Sequence, residues 1–283
     1  MVIRLQDGEV EGLIAAAAAL GVADPVVEGA LRRVDGACVF LDEAGRCRVH
    51  TTFGAAAKPA ICRQYPLVRV RVGGGERWGI DPGCYRALDQ PDAPELALPP
   101  DTLVAQAPGD EAMEHAVAGM LRGAPTVGAA LGAMLGERPG SSGLPEGYLA
   151  RWASRLGSVP WAELLPQAGT SAAAALAPLA AHPWENPGFS APDPGFDADA
   201  RDVVARLVEL RLVQRTFGSP PAVVLVGLGG ALAVYASTAP AARGPALAAW
   251  TRVLRAPAMR AALVPDSATM GWLATGEGKP TGA

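Results

Sequence analysis

GACVFLDEAGRCRVHTTFGAAAKPAICRQYP, residues 36–66, is the stretch on which the reading of this chain turns. Three of the four cysteines, Cys38, Cys47 and Cys62, fall inside it, and Cys84 follows in DPGC at 81–84. The rest of the sequence contains no thiol. Thiols gathered in short, turn-punctuated segments point to a metal or iron–sulfur site more than to scattered core residues. The same segments carry hairpin signals, which sets the amino-terminal part as α+β.

Within that stretch, Cys38 to Val49 reads as a hairpin. Val39-Phe40-Leu41 and Arg46-Cys47-Arg48-Val49 flank the turn Asp42-Glu43-Ala44-Gly45. A loop of that length sets Phe40 opposite Cys47 and makes Cys38 the diagonal neighbour of Cys47 on one face. Two thiols so placed can approach a common ion. Lys58 to Arg63 reads as a short helical turn, with Pro59 near its start and Pro66 ending it. Val68, Val70 and Val72 then alternate with Arg69 and Arg71. Gly73-Gly74-Gly75 turns the chain into Glu76–Ile80, a second hairpin, and Asp81-Pro82-Gly83 presents Cys84.

Upstream, residues 7–20 read as a helix capped by Asp7, with Glu9 and Glu11 in its first turn and Leu13, Ile14, Ala17 and Leu20 on one face. Gly21 stops it. Asp24-Pro25 predicts a second helix, with Arg32 and Arg33 at its carboxyl end.

The elements CVFL at 38–41, CRVH at 47–50 and KPAICRQYP at 58–66, followed by Cys84, resemble the YkgJ-type cysteine-cluster family, described as a zinc- or iron-chelating domain. Its members show a Cys before an apolar pair, a short turn, "C-x-[IV]-[HY]", "[KR]P-x-x-CR-x-[FY]P" and a later Cys. The match covers about residues 8–90. It implies a metal site of Cys38, Cys47, Cys62 and Cys84, holding zinc or iron, the iron as an ion or in an iron–sulfur cluster. His50, at a position where the family often has Tyr, is an additional candidate ligand. The family's CxxxCxxCC-like run normally precedes the first helix, and Met1-Val2-Ile3-Arg4-Leu5 stand where members have just left that run. The resemblance therefore implies either that this chain has lost half of the family's ligands or that its start lies upstream of Met1, and the upstream start is the expectation. A more distant similarity is to flagellin lysine-N-methylases, which also join a cysteine-rich amino-terminal region to a helical remainder.

Spacing by itself is less specific. Cys-x8-Cys-x14-Cys-x21-Cys contains no C-x2-C knuckle, and Cys38 and Cys62 would serve equally as small core residues. Arg63 beside Cys62 reads as a cation for a thiolate, an anion contact or a salt-bridge partner. Arg69 and Arg71 read as a solvated strand face. His115 and His182 have no ligand-like neighbours.

The organisation expected is a cysteine module at 1–90, a linker at 91–107, a helical region at 108–265 and a frayed tail at 266–283. Helices are expected at 109–122, 124–135, 146–157, 170–181, 198–216, 221–238 and 245–256. Ser219–Ala242 has no charged residue and approaches a membrane span in length, but its Ala and Gly content suits a buried helix, and no membrane is expected. Its VGLGGA lacks the glycine spacing of a dinucleotide site.

The net charge of −4 gives no reason to bind nucleic acid. No Ser/His/Asp triad, P-loop or HExxH occurs. MVIRLQDGEVEGL lacks the basic start and apolar run of a signal peptide. The expectation is a cytoplasmic protein whose clustered thiols are ligands rather than disulfides. The functions in view are a metal-binding protein of structural or redox role, a metal-dependent protein-modifying enzyme such as a lysine N-methylase, and an interaction module with a degenerate metal site.

Overall fold

The computed structural model describes residues 3–34, 37–73, 75–84, 104–106, 111–136, 144, 146–185, 191–213 and 217–278. The chain is α+β, with small antiparallel hairpins first and helices after them. Helix α1 (Glu9–Ala19) buries Leu13, Ala16 and Ala17, one stripe at i, i+3 and i+4. Ile14, expected on that stripe, is 51% exposed, because one residue along a helix turns its side chain about 100° away. The N-cap is Gly8 rather than Asp7. Glu9 Oε2 instead accepts the Gln6 N–H at 2.7 Å.

The helix expected from Asp24-Pro25 does not form. Val26–Val27 (β1) pairs antiparallel with Ala30–Leu31 (β2), and Arg33–Val34 (β3) pairs with Ala37–Cys38 (β4). Glu28 and Gly29 both have positive φ, the geometry of a tight hairpin turn. β-Branched Val26 and Val27 followed by glycine favour this turn over a helix.

The expected 38–49 hairpin is corrected as well. Its turn is present: Asp42 N–H donates to Arg46 O at 2.9 Å, and Gly45 has φ +75°. Only Leu41 bridges Cys47, however, so Phe40 is not the residue opposite it. Leu41 N–H closes a turn onto Cys38 O at 3.0 Å, which sends Phe40 into the core at 2% exposure. The returning strand stops at once, because Arg48–Phe53 is helix α2. The Arg48 guanidinium bonds the last carbonyl beyond α1, that of Leu20, and Val49 is buried. These long-range contacts hold the segment as a helix.

After α3 (Ala60–Gln64) comes the second hairpin, as expected. Leu67–Val72 (β5) pairs with Gly75–Ile80 (β6) in the register Leu67↔Ile80 to Val72↔Gly75. Val70 is completely buried. Residues 104–106, expected in the linker, form β7, which lies parallel beside β5. The rest of the expected linker, 91–103 and 107, lies outside the described residues.

The helical region holds α4 (Glu111–Gly123), α5 (Val127–Leu135), α6 (Tyr148–Gly157), α7 (Trp161–Leu164), α8 (Thr170–Ala181), α9 (Pro194–Glu209), α10 (Pro220–Ser237), α11 (Arg243–Leu254), α12 (Pro257–Leu263) and α13 (Ser267–Thr275). Helix α9 starts earlier than expected, because Asp193 caps the N–H of Phe196 and Pro194 occupies the first turn. The tail expected to fray over 266–283 carries α13. Asp266 caps it through the Thr269 N–H, Trp272 and Leu273 are buried, and Arg151 bonds the carbonyls of Leu273 and Ala274.

Helix α10 is the axis of this region. It is long and apolar enough to cross a membrane, yet 72% of its 18-residue apolar window is buried inside the protein. Its glycines are notches. A Cβ on Gly229 would land in the indole of Trp152 and one on Gly230 in that of Trp250, whose Nε1–H donates to Gly227 O at 3.1 Å. Only residues without a Cβ allow both indoles to lie flat against the backbone.

The second hairpin is pinned to this helical body. Asp81 is 6% exposed. Its carboxylate accepts two hydrogen bonds from the Arg255 guanidinium, at 2.7 and 2.8 Å, and one from the Gly83 N–H at 2.7 Å. Arg252 donates to Gly83 O at 2.8 Å. Farther along β6, Arg77 and Arg211 share the fully buried carboxylate of Glu114, at 3.1 and 3.0 Å.

Two outcomes are expected. Gly230→Ala lowers stability by about 1–3 kcal/mol through overpacking, whereas Gly119→Ala, exposed on α4 with open space at its Cβ, raises it by about 0.5–1 kcal/mol; urea denaturation midpoints check both. Arg255→Met leaves a buried carboxylate unpaired and destabilises by about 3 kcal/mol, and Asp81→Asn in the same chain recovers part of that loss.

Candidate metal centre

Three thiols from three elements border one small core. Cys38 ends β4, opposite Arg33. Cys47 is the N-cap residue of α2, delivered by the Asp42–Gly45 turn. Asp42 secures that turn by accepting the Arg46 N–H at 2.8 Å and its Nε–H at 3.0 Å. These bonds, the backbone N–H first, hold the Asp42 carboxyl below the usual carboxylate range. Cys62 lies in α3, whose start is fixed from 51 residues away: Glu9 Oε1 accepts the Ala60 N–H at 2.6 Å. Arg48 ties α2 to the end of α1 in the same way. Helix α1 is thus the post around which β4, α2 and α3 are set.

Cys38, Cys47 and Cys62 all pack against the small core of Leu13, Ala16, Ala17, Leu31, Phe40 and Val49. All four cysteines are free and half-buried. Burial pushes the Cys38 thiol up, and the neighbouring Cys47 adds to that; the Phe40 N–H and Arg33 act against it. Burial pushes the Cys62 thiol up to about 11. Lys58 opposes that rise, while Cys38, Cys47 and Glu9 reinforce it. The three thiols are therefore close enough for the charge of one to act on another.

Cys84 stands in different company. Its N–H donates to Asp81 O at 2.9 Å, and with Asp81 and Arg252 it acts on the Tyr65 phenol, which partial burial pushes up. It belongs to the seam where the second hairpin meets the helical body. His50 is exposed on α2. Arg63 donates to the carbonyls of Ala56 and Lys58 at 2.9 and 3.2 Å, bracing the loop before α3. The cation acting on Cys62 is Lys58. Arg69 pairs with Glu76 across the hairpin and stacks over Trp78. His115 faces Arg77 at 2.9 Å.

The donor chemistry suits a soft or borderline metal, since thiolates are the preferred ligands of zinc and of iron–sulfur clusters. The geometry falls short of a finished cage. Among the described residues, no group of three or more His, Cys, Asp or Glu side chains is gathered closely enough to hold an ion as it stands. A metal would have to draw the three thiols together and displace their protons. The roles of Glu9 and Arg48 carry no local sequence signal, because each acts on a partner distant in the chain, whereas Lys58 stands only four residues before Cys62.

Comparison of the chain with protein-family models, with curated proteins and with solved structures finds no match.

The metal-free protein should show the raised thiol directly. A thiol whose folded value lies above its unfolded one contributes stability that is complete below the unfolded value and is lost as pH rises through the folded one. Stability is therefore expected to fall between pH 9.0 and about 11 for Cys62, as read by urea midpoints across that range. Iodoacetamide at neutral pH should label Cys62 far more slowly in the folded chain than in urea. Equal rates would contradict the burial argument.

Proposed function

We propose that the amino-terminal unit is a thiolate metal-binding site for zinc or iron, the latter as an ion or in an iron–sulfur cluster, with Cys38, Cys47 and Cys62 as its ligands. The observation that carries this reading is the convergence of three free thiols, from β4, the start of α2 and α3, on one small core. The resemblance of residues 38–66 to the YkgJ-type family points the same way. In this reading Cys84 is a residue of the seam with the helical body, and His50 remains on the surface.

The chain's own part is to hold the half-buried sulfur atoms on three separately anchored elements. Glu9 and Arg48 fix α3 and α2 to α1, and Lys58 supplies a positive charge beside Cys62. A bound metal would supply Lewis acidity in the case of zinc or electron transfer in the case of iron–sulfur, and would fasten the three elements together. Such a site suits a protein of a reducing compartment, the cytoplasm, where thiols stay free.

The methyl-transfer reading would need a donor-binding cleft in the helical body. Around α10 the described side chains are close-packed instead, with Trp152 and Trp250 seated on its glycines.

Metal and acid-labile sulfide contents of anaerobically purified protein, with its absorption spectrum, test the proposal. Stoichiometric metal is expected in the wild type and in Cys84→Ser, and its loss in Cys47→Ser and Cys62→Ser. A wild type without metal after reconstitution with zinc, or with ferrous iron and sulfide, whose stability is unchanged by the Cys47→Ser and Cys62→Ser substitutions, would overturn it.

A further inference from the structure

We infer that Cys38 and Cys47 form a redox-active dithiol, which a low-molecular-weight disulfide converts into an intramolecular disulfide, with Cys38 as the entry thiol and Cys47 as the resolving one. The inference uses two of the thiols just described but does not depend on their holding a metal.

The backbone places the pair. The chain turns at Cys38–Leu41, with Leu41 N–H on Cys38 O at 3.0 Å, and Leu41 then bridges Cys47. Phe40 O accepts the Arg48 N–H at 2.8 Å, locking the next residue alongside as well. Cys38 and Cys47 therefore lie on adjoining, folded-over segments joined by the tight Asp42–Gly45 turn. Their side chains pack against the same small core. Disulfides form between residues of neighbouring backbone segments whose Cα atoms are roughly 4.4–6.8 Å apart. Cys62 comes from a separate helix anchored by Glu9, so its approach depends on tertiary docking rather than on this turn.

Access separates the roles of the two sulfurs. An open groove of about 390 Å³ is lined by Gly21, Val22, Arg32, Cys38, Leu41 and Asp42, among others, and Cys47 is not part of its wall. A small disulfide entering the groove meets Cys38. Burial disfavours the Cys38 thiolate, and the Phe40 N–H and Arg33, opposite Cys38 on β3, only partly offset this, so it is access from the groove that makes Cys38 the entry thiol. The Cys38 thiol gives its proton to water and its sulfur attacks one sulfur of the reagent. The reagent's S–S bond breaks, and the departing thiolate takes up a proton. Cys47 then loses its proton, attacks the Cys38 sulfur and expels the second reagent thiolate, which is protonated in turn. Two protein thiols are oxidised to one disulfide, and one reagent disulfide is reduced to two thiols.

The test is treatment of the folded, chelator-stripped full chain with glutathione disulfide, followed by intact mass and tryptic mapping. The expected result is the loss of two hydrogen atoms and a link joining peptide 34–46 to peptide 47–48, which trypsin separates at Arg46. Cys62→Ser should retain this link, and Cys47→Ser should instead accumulate glutathione on Cys38. A wild type that carries glutathione on Cys38 without a cross-link, that stays fully reduced, or that links Cys62 or Cys84 in place of Cys47 overturns the inference. Because the protein is stripped of metal, each result stands apart from the metal analysis above. A Cys38–Cys47 link in a chain that never takes up metal would support the dithiol and sink only the metal reading.

Discussion

The buried carboxylate of Asp81 is the contact that ties the end of β6 to the helical body. It is held by the fork of Arg255 and by its own Gly83 N–H, and Arg252 takes up the carbonyl of Gly83. A Cβ at Gly83 would collide with the Arg255 guanidinium, so the close approach depends on glycine there. A charge this deep is tolerated only while its partners are in place. The same pin fixes β6, and through β6 the register of β5 and the position of Tyr65 and α3. Glu114, shared by Arg77 and Arg211, fixes the other end of the hairpin by the same physics.

The amino-terminal unit is built very differently from the body it is pinned to. Among the described residues its core is six side chains, three of them on α1, and Ile14, Val27, Val34, Leu41 and Phe53 are exposed. So little buried apolar surface supports a unit of this kind poorly without a staple. The thiols of Cys38, Cys47 and Cys62 stand where a staple would act, on β4, at the start of α2 and in α3 around this small core. Metal and disulfide are competing uses of the same sulfur atoms: a sulfur engaged in a disulfide has no thiolate left to coordinate an ion.

The parts of this structure that were legible in the sequence are those decided within a few residues. Helix 170–181, the second hairpin with its glycine turn, the turn at Asp42–Gly45 and the uncharged central helix all follow from periodicity and turn chemistry. The errors fall where distant contacts outweigh local preference. Asp24-Pro25 looks like a helix start, but Val26-Val27 and Gly29 favour a hairpin that packs Leu31 beneath α1. Arg46–Val49 reads as the returning strand of a hairpin, but the tie of Arg48 to Leu20 and the burial of Val49 start a helix at Arg48. The tail looks featureless, but Trp272 and Leu273 find a surface on the helical body and Arg151 completes the carbonyls of its last turn.

The candidate site divides along the same line. The sequence by itself determined that thiols are concentrated in one short region, that turns separate them, and that the chain is α+β with a helical remainder, since composition and local periodicity carry those properties. Tertiary structure alone decided that Cys38, Cys47 and Cys62 pack against one small core while Cys84 goes to the seam. That choice rests on Glu9 reaching Ala60, Arg48 reaching Leu20 and Arg255 reaching Asp81, and no local pattern encodes which distant residue a buried charge or an open backbone N–H will find.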